Sequence, residues 1–376
     1  MTTLKQFASP TKQRAAFALT TLILSCACLF GAGALMQSHA QETPQPASSS
    51  ANGTSADTAR GIELYKAANY EEAIKVLRQA VKERKQDAQA WLHLGIALSR
   101  AGQNKEARKA FEKASKLQPE IPQPHIGMGY IFTNEGKLRE AERAVLRAVS
   151  LDARNAEAHY ALAVVRMNQA SPFKALEEAD AALSLNPNFG AALILKKEAA
   201  LESYVAAYTE RSEKFAKLKQ PAPEISPEER ERLDGFLKVA ADSLEKFLKL
   251  FPTERAAPLL REELETLRLH AELNGKSDAP FIYKQDMVTT KADILSKPEP
   301  LYTEEARHKQ ISGMVRLRMV LSFDGKVRHI LVLKALKGGL TEMAVNAARG
   351  IKFKPAIKDG RPVSQFVTIE YNFHIY

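Results

Sequence analysis

Cysteine is almost missing from this chain: only Cys26 and Cys28 occur in 376 residues, both inside one apolar stretch near the N-terminus. The rest therefore has no disulfide, no thiolate metal site and no cysteine nucleophile. Other catalytic spacings are missing too. There is no His-Glu-x-x-His helix, no Gly-x-Ser-x-Gly elbow and no dinucleotide fingerprint. Gly275-Lys276-Ser277 has the ending of a phosphate loop, but the glycine that would open it falls on His270. His125 and His159 stand at a repeat spacing, which suggests packing and not a metal pair, while His93, His308, His329 and His374 have no partner at ligand spacing. Acidic pairs such as Glu71-Glu72, Glu177-Glu178 and Glu262-Glu263 read as charges on helix surfaces. The expectation is a protein that is not an enzyme, with no cofactor and no metal.

Long apolar runs are equally scarce. A single one, Ala15 to Met36, follows Lys5, Lys12 and Arg14 and is succeeded by Ser38-His39-Ala40 and then polar sequence. This is the layout of a secretory signal peptide, with cleavage after Ala40. An uncleaved anchor remains open, because 22 residues reach across a bilayer core of about 30 Å. So does a lipoprotein, through Ile23-Leu24-Ser25-Cys26. All three readings place the bulk outside the cytoplasm. Residues 1–40 are thus a signal peptide or membrane anchor, and 41–58, rich in Ser, Pro, Ala and Thr, a flexible linker.

The remainder has ordinary globular composition, 45% hydrophobic and 26% charged, and is too long for one core, so several domains are expected. The net charge of +10 is unevenly placed. Residues 297–376 carry 14 Lys+Arg against 7 Asp+Glu, whereas 41–296 carry 37 of each. No aromatic stacking motif accompanies these basic residues, and with an export signal ahead of them no nucleic-acid partner is expected.

Self-similarity dominates the first half. Ala73, Ala107, Ala141 and Ala175 recur every 34 residues, as do Ala80, Ala114, Ala148 and Ala182, and Gly61, Gly95 and Gly129 until Ala163 replaces the glycine. The spacing predicts helix-turn-helix units in which small residues let paired helices approach and Leu94, Phe111 and their equivalents fill the gaps. With Trp91, Leu94, Gly95, Leu98, Ala107, Phe111, Ala114 and Pro119, the second copy resembles the tetratricopeptide (TPR) repeat nearly position for position. Four repeats are placed at 54–87, 88–121, 122–155 and 156–189, with turns at Ala68-Asn69, Gly102-Gln103, Gly136-Lys137 and Ala170-Ser171-Pro172. Further helical hairpins are expected over 190–275, including one started by Ser226-Pro227-Glu228-Glu229. The resemblance implies a peptide groove lined by Gln89, Leu92, Ile96 and Ser99, by Gln123, Ile126, Tyr130 and Thr133, and by Glu157, Tyr160, Val164 and Met167. Packing against neighbouring helices is an equally open role for them.

After an expected linker over 276–300 the period changes. Val315, Leu317, Met319, Leu321 and Phe323 share one strand face and Arg316 and Arg318 the other; Asp324-Gly325 is a hairpin turn; Val327 to Leu333 return. Leu340 to Arg349 has helical spacing, and Val367, Ile369, Tyr371 and Phe373 alternate in a last strand. Tyr302, Ala306-Arg307, Gly313, Val315, Asp324-Gly325, Val327, Leu340, Ala344, Ala347-Ala348, Phe353, Pro355 and Gly360 together resemble the C-terminal domain of TonB, which energises outer-membrane transporters. Two departures stand out. Thr303 follows Tyr302 where that family has proline, and the apolar N-terminal run lacks the family's histidine, with helical repeats replacing its Pro-rich rod.

The resulting fold class is multidomain: an all-α TPR-type solenoid followed by a small α+β TonB C-terminal-like domain over 301–376. The resemblance implies a cell-envelope protein, in the periplasm of a Gram-negative-type bacterium or anchored in its inner membrane. It contacts an outer-membrane transporter by β-augmentation, the addition of an extended partner segment to a sheet edge. The implied partner-binding residues are Tyr302, Arg316, Arg318 and the edge strand Phe366, Val367, Thr368, Ile369, Glu370, Tyr371, Asn372 and Phe373; an unidentified peptide or protein occupies the repeats. A periplasmic assembly scaffold without force transmission is the alternative.

Overall fold

The computed structural model describes residues 55–217, 225–272 and 282–374. The N-terminal apolar run therefore lies outside the described residues. Two compact units divide between Lys196 and Lys197.

In the first unit, α1 (Ala56–Lys66) pairs with α2 (Tyr70–Glu83), α3 (Ala88–Arg100) with α4 (Asn104–Leu117), α5 (Gln123–Asn134) with α6 (Leu138–Leu151), and α7 (Ala156–Asn168) with α8 (Pro172–Leu185). Repeat spacing reaches down to single atoms. Asp87 and Asn155, 68 residues apart, each cap a helix by accepting from the N–H three residues on, at 2.9 and 3.0 Å. The residue closing each first helix has a left-handed backbone: Ala68, Gly102, Gly136 and Ala170, with φ of 58°, 75°, 72° and 53°. Trp91 Nε1 donates to the Lys85 carbonyl at 3.0 Å, and His159 Nε2 lies 3.1 Å from the equivalent Ala153 carbonyl. His159 thus takes over the tryptophan's tether.

Close approach explains the small residues. A Cβ on Gly61 would fall 2.5 Å from Leu77, one on Gly95 2.7 Å from Phe111, and one on Gly129 2.3 Å from Val145. In the fourth repeat the exchange is reciprocal: Ala163 supplies the Cβ and Ala179 replaces the large partner, both fully buried. Each first helix also packs on that of the next repeat, so α1, α3, α5 and α7 form a row.

The second unit begins within α9 (Gly190–Lys217) and continues through α10 (Pro227–Leu250) and α11 (Ala257–Glu272). Ser226 caps α10 by accepting from Glu229 N at 3.2 Å, with Pro227 opening the helix. Then come β1 (Ile282–Tyr283), β2 (Asp293–Ser296), α12 (Glu304–His308), β3 (Gly313–Leu321), β4 (Val327–Lys334), α13 (Leu340–Arg349), β5 (Lys352–Lys354), β6 (Ala356–Lys358) and β7 (Arg361–Phe373). Strand order in the main sheet is β1-β7-β3-β4, with β6 also on β7, while β2 and β5 form a separate pair. The expected linker thus contains two strands, of two and four residues, too short for any alternation to announce them.

Val315, Leu317, Met319 and Leu321 are fully buried and pack with Leu340, Ala344 and Ala348 of α13 and with Tyr371 and Phe373 of β7. Phe323, expected on the same face, is 60% exposed because β3 ends two residues earlier. The opposite sheet face is covered as well. Val320 and Phe366 are buried there with Leu269 and Ile282 packed against them, and α11 lies against β4. A bulge in β4 helps: His329 has φ of 49°, and its carbonyl accepts from the buried His270 Nε2 at 2.8 Å. Burial, then the Arg318 charge, pushes the His270 pKa down to about 3 against the pull of that hydrogen bond. His270 is therefore a neutral fastener between helix and sheet.

Candidate interaction surfaces

β7 is built to be two things along its length. Its first part pairs with β6 and then with β1, and Gln365 has a strand partner on each side. Val363, Pro362 and Arg361 pair with β6, Ser364 and Gln365 with β1, and the strand from Gln365 onward with β3. Beyond Gln365 the register with β3 continues without a shift from Phe366↔Val320 to Phe373↔Gly313, and among the described residues no strand lies on the other side. The consequence is an open row of backbone donors and acceptors over eight residues, Phe366 to Phe373.

What borders this edge is polar. Lys297 Nζ donates to the Glu370 carbonyl at 3.2 Å and sits 4.9 Å above the Tyr371 ring. Burial, then Glu299, pushes the Tyr371 pKa up to about 12, so its hydroxyl stays protonated. Ala292 N donates to Gln365 Oε1 at 2.7 Å, ending the covered part of the strand.

The other implied partner-binding residues have intramolecular roles. Arg316 pairs across the strands with Glu370, Nε to Oε1 2.7 Å, as their register requires. Arg318 lies 5.6 Å over the Phe366 ring and is hydrogen-bonded to Tyr204. The Tyr302 hydroxyl donates to the Ile311 carbonyl, and its ring meets Phe373 edge-on at 6.0 Å. Thr368, Glu370 and Asn372 are exposed, Ile369 is half-buried, and Val367, Tyr371 and Phe373 belong to the core.

In the repeats the twelve implied groove positions sort into four columns. Leu92, Ile126 and Tyr160 are buried and serve helix packing. Ile96, Tyr130 and Val164 are half-buried, and so are Ser99 and Met167, whereas Thr133 is buried and donates to the Gly129 carbonyl at 2.9 Å. Gln89 is half-buried, and Gln123 and Glu157 are exposed. The Tyr130 hydroxyl is enclosed with no hydrogen-bond partner among the described residues. Burial, then Glu157 and Tyr160, raises its pKa well above 10, with Arg100 acting the other way.

Pairs of charge that look superficial in sequence are partly internal. Lys197 is 2% exposed, with Glu198 and Glu263 carboxylates each 2.8 Å from Nζ. Burial works against its charge, but the two carboxylates outweigh it and raise the pKa. Glu263 is therefore not a free helix-surface charge, and Glu178 likewise lies 2.8 Å from His159 Nδ1. Nothing local in Lys196-Lys197-Glu198 announces this, because Glu263 is 66 residues away. Among the described residues no three His, Cys, Asp or Glu side chains converge as a metal site, and no helix is long and apolar enough to cross a membrane.

Comparison with known proteins agrees with this division. Residues 298–375 match the family model described as the Gram-negative bacterial TonB protein C-terminal, and residues 58–120 and 127–195 match the tetratricopeptide repeat. No curated protein matches the chain significantly. Similar solved structures are TPR-type proteins. The thermophilic TPR protein TTC0263 of Thermus thermophilus is 17% identical, TM-score 0.42, over 57% of this chain and 97% of its own. MamA 41-end from Desulfovibrio magneticus RS-1 is 17% identical, TM-score 0.37, over 54% and 99%. YrrB, described as a TPR protein with an unusual peptide-binding site, is 19% identical, TM-score 0.34, over 58% and 90%. The chain thus joins a TPR solenoid to a TonB C-terminal module, two kinds of protein-interaction unit, the second from Gram-negative envelope proteins.

Proposed function

We propose that this is a non-enzymatic cell-envelope protein whose C-terminal sheet takes up an extended segment of an outer-membrane transporter along Phe366–Phe373. The TPR row meanwhile binds a second protein or peptide across the face carrying Ile96, Tyr130 and Val164. One observation carries the reading: an eight-residue strand edge paired, among the described residues, on one side only, in a module matching the TonB C-terminal family. Backbone pairing suits such a contact because it is additive along the strand and tolerant of side-chain sequence. Export through residues 1–40 delivers the chain to the periplasm, and retention of that segment as an anchor makes it an energy transducer.

The test is titration of the full chain with synthetic peptides from periplasm-facing transporter segments, each alongside a copy N-methylated at alternate residues. Binding of the parent peptide and loss on methylation support strand addition. Equal binding of both forms, or none by any peptide, refutes it. Arg316 and Glu370 provide a second handle, since their ion pair braces the edge from the side of β3.

A further inference from the structure

The outer faces of α4 and α6 carry a charge pattern that helix pairing does not use. Lys105, Lys109 and Lys113 stand four residues apart on α4, and one repeat later Arg139, Arg143 and Arg147 hold the same positions on α6. A step of four residues rises about 6 Å and stays on one side of a helix, so each triplet is a line of cations. The lines point away from the buried Ala107, Phe111 and Ala114 of α4 and from Ala141, Val145 and Ala148 of α6. Lys113 is half-buried and the other five are exposed. Among the described residues none of these six side chains has an ion pair or a hydrogen bond. The acids of the same helices are partly engaged elsewhere: Glu106 is held by Arg78 at 2.6 Å and Glu142 by Arg166 at 2.5 Å, which leaves Glu112 and Glu140. The field reaches inward, since the pKa of half-buried His125 is lowered by burial and then by Arg147. Like charges four apart oppose helix formation, and the sequence accepts that penalty twice at one register. The neighbouring repeats do not: the equivalent positions are Glu71, Lys75 and Gln79 on α2, and Phe173, Glu177 and Ala181 on α8. Leu146, three residues after Arg143, is 42% exposed, and Phe173, next in the column of Lys105 and Arg139, is 43% exposed.

We propose that this face lies on an anionic phospholipid surface, the six cations meeting headgroup phosphates while Leu146 and Phe173 enter the boundary between headgroups and acyl chains. Cations on long apolar stems, with exposed apolar side chains beside them, have the composition of an interfacial surface. Two parallel lines on two helices suit an extended sheet of charge, whereas one acidic strand would meet a single line. Each Lys or Arg near such a surface adds to the attraction, which fades as salt screens it. The inference takes from the proposed function only the envelope location, where bilayers are at hand. Strand addition at β7 belongs to the other unit, so its failure in the peptide titration would leave this face untouched.

The experiment is limited lysine acetylation of the full chain, read residue by residue by mass spectrometry, so that any binding through the N-terminal apolar run does not enter the result. The probes are vesicles of phosphatidylcholine alone, vesicles with about 30% phosphatidylglycerol, and polyglutamate. The expected result is slower acetylation of Lys105, Lys109 and Lys113 with the anionic vesicles alone, relative to the exposed Lys238 of α10, and loss of that protection on raising salt from about 0.1 to 0.5 M. The combined variant Arg139→Gln, Arg143→Gln and Arg147→Gln changes exposed side chains and should keep the parent circular dichroism. It should raise the lipid concentration for half protection about ten-fold or more. No protection by anionic vesicles, equal protection by neutral ones, or protection unchanged in the variant overturns the proposal. Protection by polyglutamate without protection by anionic vesicles also overturns it, and assigns the face to an acidic protein.

Discussion

Two glycine-to-alanine substitutions should act with opposite sign, and the reason lies in what a new methyl group meets. At Gly95 the Cβ would fall 2.7 Å from both Cδ1 and Cε1 of Phe111, about 0.7 Å inside ordinary contact. The ring has no retreat, because its Cζ already lies 2.5 Å from where a Cβ on Gly127 would stand. Phe111 is 1% exposed, so relief requires two helices to move apart. Overpacking of this kind costs about 1–3 kcal/mol, and alanine's better helix propensity returns up to about 1 kcal/mol. With the ring blocked on both sides the cost lies at the upper end, about 2–3 kcal/mol, so a net loss of about 1–2 kcal/mol remains, a midpoint lower by roughly 3–6 °C in a unit of this size. Trp91 is the only tryptophan and sits one turn before Gly95, so its fluorescence reports this repeat directly. At Gly235, inside α10, a Cβ meets nothing within 4 Å, and alanine should stabilise by about 0.5–1 kcal/mol, followed by far-UV circular dichroism. An unchanged or raised Trp91 midpoint in Gly95→Ala would refute the close-approach argument.

Ala68 and Ala170 hold left-handed backbones that glycine holds at the equivalent turns, so Ala68→Gly and Ala170→Gly should each raise stability by up to about 1 kcal/mol in chemical denaturation. Lys197→Met removes the cation between two carboxylates and should cost about 3–5 kcal/mol, read as a lower urea midpoint. Two buried groups give opposing pH dependence. Burial, then Glu198, pushes Glu202 up to about 7 against Lys337, so the native state holds the proton more tightly and stability falls as pH rises from about 4.5 to 7, by at most about 3 kcal/mol. His270 titrates near 3 when folded, so its stabilisation is present above pH about 6.5 and lost as pH falls toward 3, by at most about 5 kcal/mol. Over pH 4.5–6.5 the two nearly cancel. Glu202→Gln should therefore unmask a steep acid loss in urea midpoints between pH 5 and 6.5; a flat profile there would refute the assignment.

The repeats were legible because their constraints are local and sized. Alanine at 73, 107, 141 and 175, and glycine opposite Leu77, Phe111 and Val145, state the helix spacing outright. The left-handed turns were placed by the same register. Alternation likewise exposed β3, β4 and β7. Alternation also left Arg316 and Arg318 looking like a solvated face, because period tells which side is polar but not what covers it. The cover consists of polar pairings between segments far apart in sequence, such as His270 with His329 and Arg318 with Tyr204. Short strands at 282–283 and 293–296 have too few residues for any period.

The central claim is that Phe366–Phe373 is a strand edge held open for a partner. Backbone amide hydrogen exchange over those residues, with and without a saturating transporter peptide, tests it most directly. The account predicts that alternate amides of this segment exchange quickly in the free protein and become protected when the peptide is bound, while those of β3 stay protected throughout. Full protection of every amide from 366 to 373 in the free protein, or no change on peptide binding, would contradict it.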